Sequence, residues 1–201
     1  MMLERNRIHP RPDLCRLIGP NRRQVSVCLT APFGGVLASS RSPDGANDDA
    51  LYYLDIIKSL SSSQLRLHYV AYRALHQIVL ADDSLKRFNV GQHNEVKNLI
   101  VCLPQLPLDR MRINLDLDFE ILFRRGLIST YKTHSEELSP TELLPYATLS
   151  ASTLGIHLYA VAFNKLREWR LFGKQPVESL YEIPTCELFA PSLDGLKAKI
   201  A

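Results

Sequence analysis

Residues 124–128, with the sequence RRGLI, constrain this chain more than any other segment, because they combine the signals that end a helix. The two arginines place positive charge where the helix dipole is negative. Gly126 readily adopts the left-handed conformation that closes a helix, and the apolar Leu127 follows it. The sequence therefore predicts that a helix ends at Arg125 and that the chain turns sharply at Gly126.

The residues before this turn carry two conflicting patterns. Residues 113–119 alternate apolar and polar side chains, which is typical of a strand. Leu115, Phe119 and Leu122 also recur at the spacing of one helix face, and the helix-ending signals follow them. We therefore predict a helix over about 114–125.

Two apolar segments flank a polar one after the turn, which predicts a small antiparallel ribbon. We expect strands near 127–131 and 146–149, with a polar loop over 132–145 between them. A helix capped by Ser150 or Ser152 is then predicted to continue through Trp169 and to end at Gly173.

Two further helices are predicted upstream. The first opens at 47–48, where acidic residues suit the positive end of the helix dipole. The second begins after Ser61, because Ser61 and Gln64 have the spacing of a capping box, and it ends near 82–83. The side chains predicted to face inward from the second helix are Leu65, Ala71, Tyr72, Leu75, Ile78 and Val79.

The order of these elements predicts the fold class. A further element spans roughly 94–103 and is stopped by Pro104 and Pro107, since proline lacks the main-chain donor. Helices followed by strand, loop, strand and a long helix indicate a winged helix-turn-helix. We therefore predict a mainly α fold, with a winged helix-turn-helix-like domain and a small two- or three-stranded antiparallel ribbon. An unrelated α+β domain with a hairpin is the alternative.

Three regions are expected along the chain. Residues 1–47 form a basic, proline-containing N-terminal extension, residues 48–173 the winged-helix-like domain, and residues 174–201 a C-terminal surface tail. The extension could be a basic arm for nucleic acid or an acidic partner, or a poorly packed segment. Prolines interrupt any continuous basic face, which favours the second interpretation. The arginines of this extension are Arg5, Arg7, Arg11, Arg16, Arg22 and Arg23.

Four segments of the chain match motifs of one known protein family. Residues 36–40 (VLASS) are similar to a leucine-alanine-serine helix end, and residues 53–61 (YLDIIKSLS) to an isoleucine-isoleucine-lysine-x-leucine-serine block. Residues 122–128 (LFRRGLI) are similar to a leucine-x-x-leucine-glycine-leucine-isoleucine step, and residues 149–163 to a leucine-threonine-x-x-glycine helix start. Over roughly residues 36–165 the chain thus resembles the abortive-infection alpha family of bacterial phage-resistance proteins. The resemblance implies a role in phage defence.

Few residues have the spacing that enzymes or metal sites use. The chain contains no GxSxG, GxxxxGK[ST] or HExxH motif. His68 and His76 lie about 80° apart around a helix, so we interpret them as core or surface residues rather than ligands. The cysteines form no CxxC pair, which disfavours zinc and redox sites and favours free thiols in a reducing cytoplasm. They are Cys15, Cys28, Cys102 and Cys186. We expect no enzymatic activity, no cofactor and no metal.

Acidic residues dominate the two elements with which a winged helix would contact DNA. Residues 109–123 hold four acids against two arginines, and residues 132–145 hold three glutamates against Lys132 alone. Because phosphate contacts supply most nonspecific DNA affinity, these acids would repel a duplex. The sequence therefore favours a protein-interaction module, and a DNA-binding transcriptional regulator is the alternative. The candidate contact residues for either partner are Asn114, Asp116, Asp118, Arg124, Arg125 and Lys132.

Localisation and assembly follow from two further patterns. No segment reaches the roughly 18 consecutive apolar residues of a membrane helix, so we expect a cytoplasmic protein without membrane contact. The predicted helix from Ser152 to Trp169 carries a wide apolar stripe, which predicts a homodimer through this helix. Burial of the stripe under residues 174–201 is the alternative. The stripe consists of Leu158, Tyr159, Val161, Phe163, Leu166 and Trp169.

Overall fold

The computed structural model describes residues 49–82, 99–139, 142–171, 176–177 and 189–200. Within these ranges the fold is helix-rich with one small antiparallel sheet, as predicted. Helices α1 to α6 span Asp49–Ser59, Ser62–Ala81, Gln105–Arg110, Leu115–Arg124, Thr153–Ala162 and Leu193–Ile200. Strands β1 to β3 span Ile100–Pro104, Ile128–Ser139 and Glu142–Ala151, and a 3-10 helix spans Leu166–Leu171.

The sheet has the order β1-β3-β2, so β3 lies in the centre. Successive side chains of a strand point to opposite faces. Val101 and Leu149 belong to the main core, so their side of the sheet is the helix-side face. Cys102 and Tyr146 pack with Leu196 of α6, so their side is the outer face.

The β2–β3 hairpin is longer than predicted, and the prediction of a polar loop over 132–145 is wrong. Both strands extend through most of that segment, and residues 132–137 pair with residues 148–143 in antiparallel register. Leu144 and Tyr146 are buried on the outer face, which holds the distal part of β3 in place. The polar residues of β2 are tolerated because many of them are exposed.

The predicted element at 94–103 lies partly outside the described residues. Its described part is strand β1, which ends at Pro104 as predicted. Pro107 does not end an element but lies in the first turn of the short helix α3, where a missing main-chain donor costs nothing.

The local signals for α2 and α4 are confirmed. Ser61 and Gln64 form the predicted capping box, with hydrogen bonds of 3.2 and 2.8 Å. At the end of α4, Gly126 has a φ of 67°. The N–H of Leu127 donates to the carbonyl of Leu122 at 2.8 Å, which closes the helix in the Schellman arrangement. The start predicted for α1 at 47–48 lies outside the described residues.

The prediction of one long helix from Ser152 to Gly173 is wrong. Ser152 caps α5 as expected, but α5 ends at Ala162 and a 3-10 helix follows. Asn164 adopts a φ of 56°, and the N–H of Lys165 donates to the carbonyl of Ala160 at 2.8 Å. Asparagine therefore supplies a left-handed helix end here, as glycine does after α4.

The apolar stripe behind the predicted homodimer lies largely inside one chain. Leu158, Tyr159 and Val161 are buried, and Phe163 and Trp169 are half-buried against the main core. The excess apolar surface that motivated this dimer is therefore absent from α5. The homodimer through this helix stays a prediction without that support.

The described part of the C-terminal region packs on the sheet. Ala190 exchanges main-chain hydrogen bonds of 2.8 and 3.3 Å with Cys102 of β1, and Leu196 of α6 is buried on the outer face. No helix of the described ranges is long and apolar enough to cross a membrane. The predictions for residues 1–47 lie outside the described residues.

A buried polar cluster joins α2 to both ends of the hairpin. The hydroxyl of Tyr72 donates to the carbonyl of Leu127 at 2.5 Å and accepts from the N–H of Ser152 at 3.0 Å. Beside it, His68 Nε2 donates to the carbonyl of Gly155 at 3.0 Å, since a carbonyl can only accept. A Cβ atom at Gly155 would overlap the Tyr72 hydroxyl, so only glycine fits there.

Acid should destabilise the fold through His68. Burial lowers the pKa of His68 from 6.5 to about 4, against a smaller opposing effect of its hydrogen bond to Gly155. Between these values the unfolded chain binds a proton that the folded chain excludes. The contribution of neutral His68 to the free energy of unfolding is therefore fully present above pH 6.5, and it is lost as the pH falls towards about 4. We expect a loss of about 3 kcal/mol across this window.

Urea unfolding at a series of pH values measures this loss. His68→Gln is the control, because glutamine keeps a donor for Gly155 and does not titrate. The part of the pH dependence due to His68 should vanish in this variant, and an identical dependence in both proteins would contradict the assignment.

Candidate interaction surface of helix α4

Two side chains fix the N-terminus of α4. Asn114 caps the helix, and its Oδ1 accepts a hydrogen bond from the N–H of Leu117 at 2.8 Å. Asp118 accepts from the main-chain N–H of Asn114 at 2.8 Å and from the hydroxyl of Ser63 in α2 at 3.1 Å. Together they hold the start of α4 against the start of α2.

This geometry corrects the prediction that Asp118 contacts a partner. Only 3% of Asp118 is exposed, and two donors already occupy its carboxylate. The side chain of Asn114 is exposed but is used as the helix cap. Asp116 is exposed in the first turn, where negative charge suits the helix dipole, and it stays a candidate contact.

Glu120 joins two neighbours on the exposed side of α4. Its carboxylate accepts from the Tyr131 hydroxyl and from Arg124 Nε, each at 2.5 Å. The hydrogen bond from Tyr131, followed by that from Arg124, lowers the pKa of Glu120. The same contact with Glu120 raises the pKa of Tyr131. The charge of Arg124 is thus balanced within this surface, although its side chain is exposed.

Apolar side chains are exposed beside this cluster. Leu117 is 59% exposed and Phe123 is 44% exposed. The Phe123 ring lies 5.8 Å from the ring of Tyr131. Leu143 of the hairpin is 62% exposed, and its alternation with Ala147 places it on the helix-side face. We call the following residues the α4 face: Asp116, Leu117, Glu120, Phe123, Arg124 and Tyr131.

The structure separates the remaining predicted contact residues. Arg125 is exposed at the C-terminal cap of α4. Lys132 is exposed on β2, but it pairs with Thr148 and therefore lies on the outer face of the sheet. Tyr131, one residue earlier, lies on the helix-side face with α4. Lys132 and α4 thus lie on opposite sides of the sheet, and the role of Lys132 as a contact residue stays a prediction.

The predicted contact residues omit Leu117, Phe123 and Tyr131. Phe123 borders the stripe formed by Leu115, Phe119 and Leu122, so the helical period does not indicate its exposure. Leu117 carries a signal in the sequence, because it lies on the opposite side of α4 from that stripe. An apolar residue off the buried stripe of a helix is expected to be exposed. The role of Tyr131 depends on its distant contact with Glu120, which no local pattern indicates.

The two histidines of α2 and Cys102 of β1 are buried. His68 and His76 are core residues, in line with their interpretation from sequence. Cys102 is buried, and burial raises the pKa of its thiol. Among the described residues, no group of three or more His, Cys, Asp or Glu side chains is placed to hold a metal ion.

Comparisons with known proteins found no counterpart. A scan against protein-family models gave no match, and neither did searches of curated proteins and of solved structures. The resemblance of residues 36–165 to the abortive-infection alpha family therefore stays a prediction.

Removing the Asp118 carboxylate should destabilise the protein. Asp118→Ala removes the charged acceptor of two part-buried hydrogen bonds, from the Asn114 N–H and the Ser63 hydroxyl, so we expect a loss of about 2 kcal/mol in the free energy of unfolding. Asp116→Ala is the matched control on the exposed side of the same turn. It loses only a favourable interaction with the helix dipole and should cost less than about 1 kcal/mol. Urea unfolding at neutral pH compares the two, and equal losses would contradict the structural role of Asp118.

Proposed function

We propose that this chain is a winged-helix-type protein-interaction module without catalytic activity, and that the α4 face is its contact surface. The order helix, strand, helix, helix, strand, strand over α2, β1, α3, α4, β2 and β3 supports this interpretation. The sheet order β1-β3-β2 is that expected of a winged helix. Residues 111–114 separate α3 from α4, a turn length typical of helix-turn-helix pairs.

The observation that carries the proposal is the pairing of Glu120 with Arg124 and Tyr131. A helix that reads DNA needs cations and amides free to reach phosphates and base edges. On the α4 face the cation of Arg124 is balanced by Glu120, and Asp116 adds negative charge. Exposed Leu117 and Phe123 offer the apolar area that protein interfaces bury at their centre.

The proposed setting is bacterial phage defence, and its support is the sequence resemblance over residues 36–165. The alternative is a winged-helix DNA-binding regulator. One observation favours this alternative, since Arg110, Arg112 and Arg125 are exposed near the ends of α3 and α4.

Phage plating on bacteria with and without the gene tests the proposal. We expect the gene to lower plating efficiency and the double variant Leu117→Asp, Phe123→Asp to lose at least about tenfold of that protection. The reason is that a charge at these positions would have to be buried against the partner. Tyr52→Asp is the matched control, because Tyr52 is 59% exposed on α1, away from α4. Circular dichroism should show that both variants are folded. Unchanged plating with the wild-type gene would contradict the setting in phage defence.

A duplex-DNA titration followed by fluorescence anisotropy decides between the two functions. Near physiological salt we expect weak binding that falls with salt, persists in Arg124→Ala and disappears when residues 1–47 are removed. Nanomolar, sequence-specific binding that survives this deletion but is lost in Arg124→Ala or Arg125→Ala would contradict the interaction module. The regulator would then be the function.

A further inference from the structure

Among the described residues, strand β2 lies at an edge of the sheet, and one row of its main-chain groups has no strand opposite it. Within the described ranges, β2 pairs with β3 on one side and with no strand on the other. The strand is 12 residues long, and residues 131–137 contain no proline. Long regular edges of this kind are templates for pairing with another strand.

The register shows which residues present these main-chain groups. Cys102 exchanges its hydrogen bonds with Ala190, so its N–H and carbonyl point away from β3. In an antiparallel ladder, the main-chain N–H and carbonyl groups of two opposite residues either all point towards the partner strand or all point away from it. Thr148 lies opposite Cys102, so its main-chain groups point away from β1 and towards β2. There they form hydrogen bonds with the main chain of Lys132. Because the pattern alternates, the main-chain groups of residues 131, 133, 135 and 137 face the free edge.

We propose that this edge pairs antiparallel with the same edge of a second copy of the chain, about a two-fold axis at His134. Thr133 then lies opposite Ser135 of the second copy, and each such pair exchanges two main-chain hydrogen bonds. The contact is isologous, so every interaction occurs twice. It uses the hairpin rather than α5, and it does not depend on what the α4 face binds.

Charge selects the second copy and this register. With the axis at His134, Lys132 lies directly opposite Glu136 of the second copy. Both side chains lie on the outer face, in a pair that is not hydrogen bonded and whose side chains are therefore closest. Lys132 is exposed, and the Glu136 side chain is 44% exposed with Lys197 at 3.8 Å.

Other registers lack this complementarity. A shift of the axis to Lys132 or to Glu136 would place like charges opposite each other, which is destabilising. A shift of the axis to Thr133 would place Lys132 opposite His134 of the second copy, and a shift to Ser135 would place it opposite Leu138. In neither register does an acidic residue face Lys132. Pairing between copies with the axis at His134 is therefore the arrangement that the strand's own charges favour.

Sedimentation equilibrium of the full chain at about 1 to about 100 µM tests the proposal. We expect a mass of twice 22.8 kDa for the wild type. Lys132→Glu should weaken the dimer at least about tenfold, because two attractive pairs become repulsive. The double variant Lys132→Glu, Glu136→Lys should restore part of it, because the attractive pairs between copies return while Lys197 opposes a lysine at position 136. Lys58→Glu, the same change on α1, is the control and should leave the dimer unchanged.

Thr133→Pro provides a second variant that leaves the monomer fold intact. The N–H of residue 133 faces the free edge, so proline there removes a bond between copies and none to β3. We expect a folded monomer by circular dichroism. The proposal is overturned by a monomeric wild type across the concentration range, by a dimer that survives Lys132→Glu and Thr133→Pro, or by a folded charge-swapped variant that stays monomeric.

Discussion

The hydroxyl of Tyr72 is the interaction on which the rest of the structure depends. It bonds the carbonyl of Leu127, where the chain leaves α4, and the N–H of Ser152, where the chain enters α5. One atom of α2 therefore fixes both ends of the hairpin. Gly155 makes this possible, because any larger residue would occupy the space of that hydroxyl. Burial raises the pKa of Tyr72 to about 12, so the hydroxyl stays neutral and keeps its proton for Leu127.

Helix α2 also fixes the position of α4 and therefore of the surface that α4 exposes. The end of α4 is held through Leu127 by Tyr72, and its start is held through Asp118 by Ser63, so both ends are anchored on α2. A helix fixed at both ends offers a surface that is already ordered, and binding then costs less conformational entropy. On that surface Glu120 balances the one arginine of the helix, which is why the proposed function is contact with protein rather than DNA.

Local signals in the sequence predicted the parts of the fold that depend on near neighbours. Ser61 begins α2 and Gly126 ends α4 because each satisfies main-chain groups within a few residues. Asp118 takes the i+3 position of the stripe formed by Leu115, Phe119 and Leu122, so the helical period places it at the buried side of α4. Its hydrogen bond with Ser63, 55 residues away, is not indicated by any local pattern. The length of the hairpin also depends on a contact between separate segments, because the polar half of β2 is a strand through its pairing with β3. Asn164 ends α5 in the left-handed conformation, and asparagine is a local signal for such an end that the prediction of a helix continuing to Gly173 does not include.

The free energy of unfolding of Tyr72→Phe is the most direct measurement of the central role of this hydroxyl. The variant keeps the ring, which lies 4.5 Å from that of His68, but leaves the buried carbonyl of Leu127 and N–H of Ser152 without their partner. We predict a loss of about 2–4 kcal/mol in urea unfolding. Hydrogen exchange at the Ser152 amide should also be faster than in the wild type. A loss below about 0.5 kcal/mol, which is usual for surface substitutions, with unchanged exchange at Ser152 would contradict that role.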